Sequence, residues 1–124
     1  MAYCTADDVV LESGSALAEA IITSLIVKAD KRIDALLLEV GVAGTAGDAD
    51  LEVASVHYTI AKIIDRGRLT NERTNSVALG NDLTLSNNTQ NEIDYHERLA
   101  AAAVQRYISR QTAGKKISVR KVNR

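Results

Sequence analysis

Two histidines are the residues of this chain best suited to acid–base or metal chemistry. His57 and His96 are the only 2 histidines among the 124 residues, and no HxxxH, HExxH or CxxC spacing accompanies them. The two rings could meet if the helices that carry them pack together, but no matching set of acidic residues stands near either one. Packed positions at the edge of a core are therefore favoured over catalytic or metal-binding roles.

Three other features could carry chemistry, and each has a simpler structural explanation. Cys4 is the single cysteine, which excludes a disulfide or a cysteine zinc cluster within one chain, so we expect a small half-buried hydrophobe. The acidic pairs Asp7-Asp8 and Asp48–Asp50 are better explained as helix caps. The sequence GVAGTAG at 41–47 lacks the Lys-Ser/Thr of a phosphate loop and predicts a flexible connection. An enzyme is disfavoured, and no cofactor or metal is expected.

The composition indicates one helical domain with a core of small and aliphatic side chains. The chain has no Phe, Trp or Pro, and its net charge is −1, which disfavours a globally basic nucleic-acid binder. The N-terminus MAYCTADD lacks the features of a signal peptide, and no apolar run is long enough to span a bilayer. We therefore expect a protein that is intracellular when made and has no membrane partner.

Capping signals and apolar periodicity predict four helices. Thr5-x-x-Asp8 and Gly14 bound a short helix over 6–13. A long central helix follows from Ser15 to Gly41, with an apolar face formed by Leu17, Ile21, Leu25, Ala29, Ile33, Leu36, Leu37 and Val40.

The third helix begins at a cap on Asp48 or Asp50, ends at Gly67, and is apolar on so much of its surface that burial on several sides is expected. The fourth helix is predicted from about 90 to 111, with an inward face formed by Ile93, His96, Leu99, Ala100, Ala103, Val104, Tyr107 and Ile108.

The segment SVALGNDLTLS at 76–86 predicts a β-hairpin between the third and fourth helices. A two-residue Gly80-Asn81 turn puts the apolar residues of the two strands on opposite faces. A three-residue turn puts the four apolar residues Val77, Leu79, Leu83 and Leu85 on one face. It is favoured, because the apolar face usually decides the register. The hairpin residues are Val77, Leu79, Gly80, Asn81, Asp82, Leu83 and Leu85.

Gly114 is predicted to end the helical domain, and KKISVRKVNR at 115–124 follows it. This tail alternates apolar and basic residues, which is typical of an extended strand that adds to a partner's sheet edge. A solvated, disordered terminus is the competing interpretation. The fold expected is therefore mainly α: a four-helix domain over 1–114 with a hairpin insertion at about 75–87, and an extended basic arm over 115–124.

Three motifs occur in a characteristic order along the chain. Tyr3 precedes Thr5-x-x-Asp8, the sequence ADKRIDAL occupies 29–36 of the long helix, and SVALGNDLTLS precedes the last helix. This order resembles the head–tail connector proteins of tailed phages, also called adaptor or head-completion proteins, over most of residues 3–111. In that family Gly-Asp typically separates the two alternating runs, whereas in this chain Asn81 stands between Gly80 and Asp82.

The resemblance implies a virion structural protein made in the host cytoplasm. Such proteins form a ring, commonly of about twelve subunits, below the portal protein. Double-stranded DNA passes through the lumen without sequence recognition, and a stopper or tail protein attaches to the other face. The hairpin residues would line the lumen or contact a neighbouring subunit. The portal-binding arm would consist of Lys115, Lys116, Ile117, Val119, Arg120, Lys121 and Val122.

Two alternative functions remain open at the level of the sequence. Tail-completion or stopper proteins share enough of this layout to be confused with connectors. A small helical DNA-binding regulator is also conceivable, since two helices are joined at Gly14-Ser15, but the second is far longer than a recognition helix and mixes acids with its cations.

Overall fold

A computed structural model of the protein shows a helical domain. The structure describes the backbone of residues 2–74 and 79–122, and the side chains of residues 2–66 and 90–113. In these ranges the chain forms α1 (Ala6–Ser13), α2 (Glu19–Glu39), α3 (Ala49–Thr74) and α4 (Leu79–Val122), and they contain no β-strand. The mainly helical class predicted from the sequence is confirmed.

The ends of α1 are fixed by its own sequence. The Thr5 hydroxyl accepts a hydrogen bond from the Asp8 amide, and the Asp8 carboxylate accepts one from the Thr5 amide, which is a complete capping box. Gly14 ends the helix in the left-handed conformation, with φ of 68°. These contacts satisfy backbone groups that would otherwise be unpaired at the two ends, as the sequence predicts.

Helix α2 is the unbroken spine of the domain, but it begins later than its sequence suggests. The Ser15 hydroxyl accepts from the Leu17 amide and so shapes the connection from α1, while α2 starts at Glu19. Its buried face is rotated slightly from the predicted one: Val40 is half exposed, and two isoleucines missing from that prediction are buried. The buried residues are Ile22, Leu25, Ile26, Ala29, Asp30, Ile33 and Leu37.

The Gly-rich segment 41–48 is a mostly exposed loop that two tyrosines contact. The Tyr107 hydroxyl on α4 donates to the Ala43 carbonyl (2.6 Å) and lies 2.9 Å from the Thr45 hydroxyl. A Cβ at Gly44 would lie 1.9 Å from the Tyr3 hydroxyl oxygen and 2.9 Å from its ring carbon Cζ. Glycine is therefore needed at this position for close approach to a buried ring rather than for flexibility.

Helices α3 and α4 form an antiparallel pair that supplies the largest contact in the domain. Asp48 caps α3 by accepting from the amides of Asp50 and Leu51. Ala100 and Ala103 on α4 are fully buried and let the backbones approach closely. The small residues on the fourth helix predict this approach from the sequence.

Helix α3 runs past Gly67, where the sequence predicted its end. One glycine inside a helix costs only about 1 kcal/mol relative to alanine. A single glycine is therefore only a weak signal for the end of a helix.

Two clusters of buried side chains hold the domain together. The loop-side core consists of Tyr3, Ala29, Ile33, Leu37, Val42, Leu51, Ala54, Tyr58, Ala100, Ala103, Val104 and Tyr107. The α1-side core consists of Cys4, Val9, Ile22, Ile26, Val56 and Ile60. Helix α3 contributes to both, which agrees with the prediction that it is buried on several sides.

The β-hairpin and the extended arm are not supported by the fold. Leu79–Ser86 lie in the first turns of α4, and Val77 lies outside the described residues. Lys115–Val122 lie in its last turns, so Gly114 does not end the helix. A helix satisfies its own backbone groups, whereas a lone two-stranded hairpin is marginal in water and a single strand needs a partner sheet.

None of the helices in the described ranges has the combination of length and hydropathy that a bilayer-spanning segment requires.

Candidate functional site

The N-terminal segment is anchored on α2 by two carboxylates of the ADKRIDAL motif. The Tyr3 amide donates to Asp30 Oδ2 at 3.2 Å, and the Tyr3 hydroxyl donates to Asp34 Oδ1. Tyr3 itself lies in the loop-side core beside Ala29 and Ile33. Two motifs 27 or more residues apart therefore form a single contact unit, and Asp30 and Asp34 are spaced so that one tyrosine reaches both.

Asp30 is the buried centre of a short hydrogen-bond chain. It is 5% exposed, and the Ser55 hydroxyl on α3 donates to its Oδ1 at 2.6 Å. Since that hydroxyl has one proton, the Cys4 thiol must be the donor in its 3.1 Å contact with Ser55. Burial raises the pKa of Asp30, against the hydrogen bonds from Ser55 and Tyr3, which lower it. The chain thus ties the N-terminal segment, α2 and α3 together at one point.

Cys4 has the properties of a packed residue. It is buried, and burial raises the pKa of its thiol to about 11. A thiolate is the reactive form of cysteine, so this thiol is a poor nucleophile near neutral pH. The half-buried hydrophobe predicted from the sequence is more deeply buried than expected, and its role is structural.

One cavity adjoins these contacts, and a second adjoins His96. One, of about 530 Å³, lies between the N-terminal segment and α2, with Ile26 and Val27 beside the carboxylates of Glu19 and Asp34. The other, of about 480 Å³, lies where α1, α3 and α4 meet. It is lined by Glu12, Ser13, Ser15, Ile60, Ile63, Ile64, Glu92, Tyr95 and His96.

The two histidines meet across the α3–α4 contact. His57 Nδ1 lies 2.9 Å from His96 Nδ1, and the rings are nearly parallel, at 19° with centroids 5.1 Å apart. The Tyr95 ring packs against His96 at an interplanar angle of 72°. The sequence predicts this contact only if the third and fourth helices pack together, because no residue near either histidine indicates its partner.

Both imidazoles are half-buried, which lowers their pKa. Burial is the main cause for each; the charge of His96 adds to it at His57, and Glu12 and Glu92 oppose it at His96. Within the ranges whose side chains are described, no group of three or more His, Cys, Asp or Glu residues is arranged to hold a metal ion.

A cluster of charges fixes α4 to the start of α3. Arg110 reaches both Asp48 (3.0 Å) and Asp50 (2.8 Å), and Arg106 contacts Asp50 at 3.2 Å. Desolvation alone would raise the pKa of Asp50, but the hydrogen bonds from Arg110 and Arg106 outweigh it and lower the pKa. Asp48 therefore acts both as the cap of α3 and as a helix-pairing group, whereas Asp50 acts as a helix-pairing group only.

Several large apolar side chains point into solvent. Leu11 on α1 is 86% exposed, Leu38 near the end of α2 is 79% exposed, and Tyr95 on α4 is 53% exposed. The run Leu36-Leu37-Leu38 indicates that one leucine is exposed, because three consecutive helical residues, each 100° further around the axis, cannot all face one core. Exposed apolar side chains of this size are typical of surfaces that contact another protein.

The residues predicted to act in the lumen and at the portal are not brought together by the described fold. The backbones of Leu79, Gly80, Asn81, Asp82, Leu83 and Leu85 belong to the first turns of α4, and those of Lys115, Lys116, Ile117, Val119, Arg120, Lys121 and Val122 to its last turns. Their side chains lie outside the described residues, as does the whole of Val77. The two groups therefore lie at opposite ends of one helix.

No protein family, curated protein or solved structure matches this chain.

Proposed function

We propose that this protein is a structural subunit of the connector ring that joins the head and tail of a tailed phage. One observation carries the proposal: the Tyr3 motif and the Ala29–Leu36 motif, which carry the resemblance to connector proteins, contact each other through Asp30 and Asp34. Residues that belong to one contact unit are expected to occur together in related proteins. The resemblance therefore rests on a coherent piece of the fold rather than on scattered short patterns.

Exposed apolar side chains supply the surfaces that a ring requires. A closed ring is built from heterologous contacts, in which two different surfaces of each subunit meet. Leu11 on α1 and Leu38 near the end of α2 are both largely exposed and belong to different helices. We assign them to the two sides of the contact between neighbouring subunits.

The two ends of α4 are assigned to the remaining partners. In the assembled ring, the segment from Val77 to Leu85 faces the lumen or a neighbouring subunit. Residues 115–124 carry five cations and no acid and reach the portal protein. DNA passes through the lumen without sequence recognition, and the opposite face receives a stopper or tail protein.

The state of assembly tests this function directly. Mass photometry and electron microscopy of the purified protein, alone and mixed with its portal protein, should show ring-shaped oligomers. A protein that remains monomeric and never binds the portal would contradict the proposal. Salt-dependent binding to a preferred DNA sequence would favour the regulator instead. A position in the particle remote from the portal would favour a stopper or tail-completion protein.

Matched variants locate the contacts within the ring. Leu11→Ser and Leu38→Ser should abolish or weaken ring formation while leaving the helical content unchanged, because both side chains are exposed in the single subunit. Lys28→Ser, at an exposed position of α2, serves as the control and should assemble normally. Deletion of 115–124 should weaken attachment to the portal without preventing ring formation.

A further inference from the structure

The His57–His96 contact holds a proton in a defined place. Nitrogens 2.9 Å apart are at hydrogen-bond distance, and such a bond needs one proton between them. One ring must therefore carry its proton on Nδ1 and donate, while the other carries its proton on Nε2 and accepts. The contact thus selects opposite tautomers for the two rings.

Protonation of the pair proceeds in two unequal steps. A first added proton charges the donor ring at its Nε2 and leaves the Nδ1–H···Nδ1 bond in place. A second added proton must go onto the acceptor's Nδ1. Two N–H groups would then point at each other across 2.9 Å, and two positive charges would face each other in a half-buried position. The contact cannot survive that second step.

The surroundings of the pair offset part of the cost of a first added charge but not the cost of a second. Glu12 from α1 and Glu92 from α4 act on His96, and Glu12 also acts on His57, so both carboxylates favour a positive charge. The floor of the adjoining cavity is formed by Ile60, Ile63 and Ile64 of α3, which cannot solvate a cation. The Tyr95 ring packs nearly perpendicular to the His96 ring, with the centroids 5.3 Å apart.

The position of the pair gives its opening a structural consequence. His57 lies on α3 and His96 on α4, and His96 lines a cavity together with Glu12 and Ser13 from the end of α1. Separation of the two rings would loosen the packing of α3 against α4 beside this cavity, close to where α1 packs on α3. The charged contacts of Arg106 and Arg110 at the start of α3 and the loop-side core would remain.

We propose that His57 and His96 form an acid-sensitive latch between α3 and α4, closed while they share one proton between their Nδ1 atoms and opened when both rings are protonated. The inference does not depend on the connector function, because it concerns the single folded chain. It predicts that mild acid destabilises this helix pair and, with it, the packing of α1 against α3.

Nuclear magnetic resonance of the wild-type protein tests the shared proton. With only 2 histidines in the chain, every imidazole signal can be assigned. Near neutral pH the spectra should show one ring protonated at Nδ1 and one at Nε2. On acidification the pair should titrate in two separated steps, and amide exchange in α1 should accelerate with the second step. Two independent titrations at the ordinary histidine pKa, or Nε2 tautomers in both rings, would overturn the proposal.

Variants separate the latch from general acid sensitivity. Asparagine places a non-titrating polar group near the position of Nδ1, so the double variant His57→Asn/His96→Asn should remain folded without the acid response. Between about pH 8 and about pH 5, the unfolding constant in urea should rise severalfold for the wild type and stay nearly constant for the double variant. Equal acid responses in the two proteins would refute the latch.

Two further measurements address instability of the double variant and binding of a metal ion by the pair. In each single variant, His57→Asn or His96→Asn, the remaining histidine should titrate in one step closer to the ordinary histidine pKa, and this readout needs only a folded protein. All titrations are run with and without a chelator. A response to added Ni²⁺ that replaces the response to protons would make the pair a metal site and would overturn the latch.

Discussion

The loop-side core and the α1-side core hold the same domain by different means. The loop-side core contains three tyrosines with directional contacts: Tyr3 with Asp34, Tyr107 with the 41–48 loop, and Tyr58 beneath the Arg32 guanidinium at 4.3 Å from the ring centroid. The α1-side core is mainly aliphatic, and Cys4 with Ser55 is its main polar contact. Directional contacts specify one geometry, whereas aliphatic burial tolerates repacking that conserves volume.

The contrast indicates where the domain is intolerant of change. Close to Tyr3 and Tyr107, shape and hydrogen bonding decide stability, so even small additions should be damaging. Under α1, the amount of apolar volume decides it, so losses of methylene groups should matter most. Three substitutions, in decreasing order of expected effect, test the distinction.

Gly44→Val should have the largest effect. Its Cβ would overlap the Tyr3 hydroxyl, so either the loop or the Tyr3 ring must move and the bond to Asp34 would be lost. Overpacking together with a lost hydrogen bond should cost about 4 kcal/mol in the free energy of unfolding, measured by urea denaturation. Ala46→Val, at an exposed position of the same loop, is the control. A variant as stable as the control would show that loop-side geometry is not restrictive.

Ile22→Ala should have the next largest effect, by removing volume from the α1-side core. Ile22 is almost fully buried, and the change should cost about 3 kcal/mol. It should also speed alkylation of Cys4 near neutral pH, because the wild-type thiol is buried with its pKa raised to about 11. Ile22→Val, with a smaller loss of volume, should fall between the wild type and Ile22→Ala. If the alkylation rate of Cys4 is unchanged in Ile22→Ala, the protection of this thiol does not depend on the packing of the α1-side core.

Tyr107→Phe should have the smallest effect and the most local one. The change keeps the buried ring and removes the hydroxyl that donates to the Ala43 carbonyl, at a cost of about 1 kcal/mol. Amide exchange should accelerate in the 41–48 loop while Cys4 alkylation stays at the wild-type rate. If amide exchange in the loop and Cys4 alkylation accelerate equally, the two cores open as one unit and do not differ in how they are stabilised.

The accuracy of sequence-based prediction differs between features that depend on near neighbours and features that depend on distant ones. The ends of α1 are predicted correctly because Thr5, Asp8 and Gly14 act within one helical turn of the groups they satisfy. The end of α3 is predicted wrongly at Gly67, because a single glycine is only a weak local signal for the end of a helix. The role of Gly44 is not visible in the sequence for a different reason: it is required by Tyr3, which lies 41 positions earlier.

The candidate functional features divide in the same way. The run of three leucines at 36–38 indicates that one of them is exposed, and the motifs that suggest a connector protein are visible in the sequence. That Tyr3 contacts Asp30 and Asp34 is not visible there, because the pairing joins residues 27 and 31 positions apart. The assignments to the lumen and the portal stay predictions.

The helical class, the ends of α1, a cap on Asp48 or Asp50 at the start of α3 and most of the residues that α4 buries follow from the sequence alone. These features depend on capping and on 3.6-residue periodicity, both of which act over a few residues. The meeting of His57 with His96, and the gathering of Tyr3 and Ser55 around the buried Asp30 carboxylate, follow only from the tertiary structure. Such contacts arise when whole helices pack, and the register of that packing is set by the sum of many side chains rather than by any short stretch.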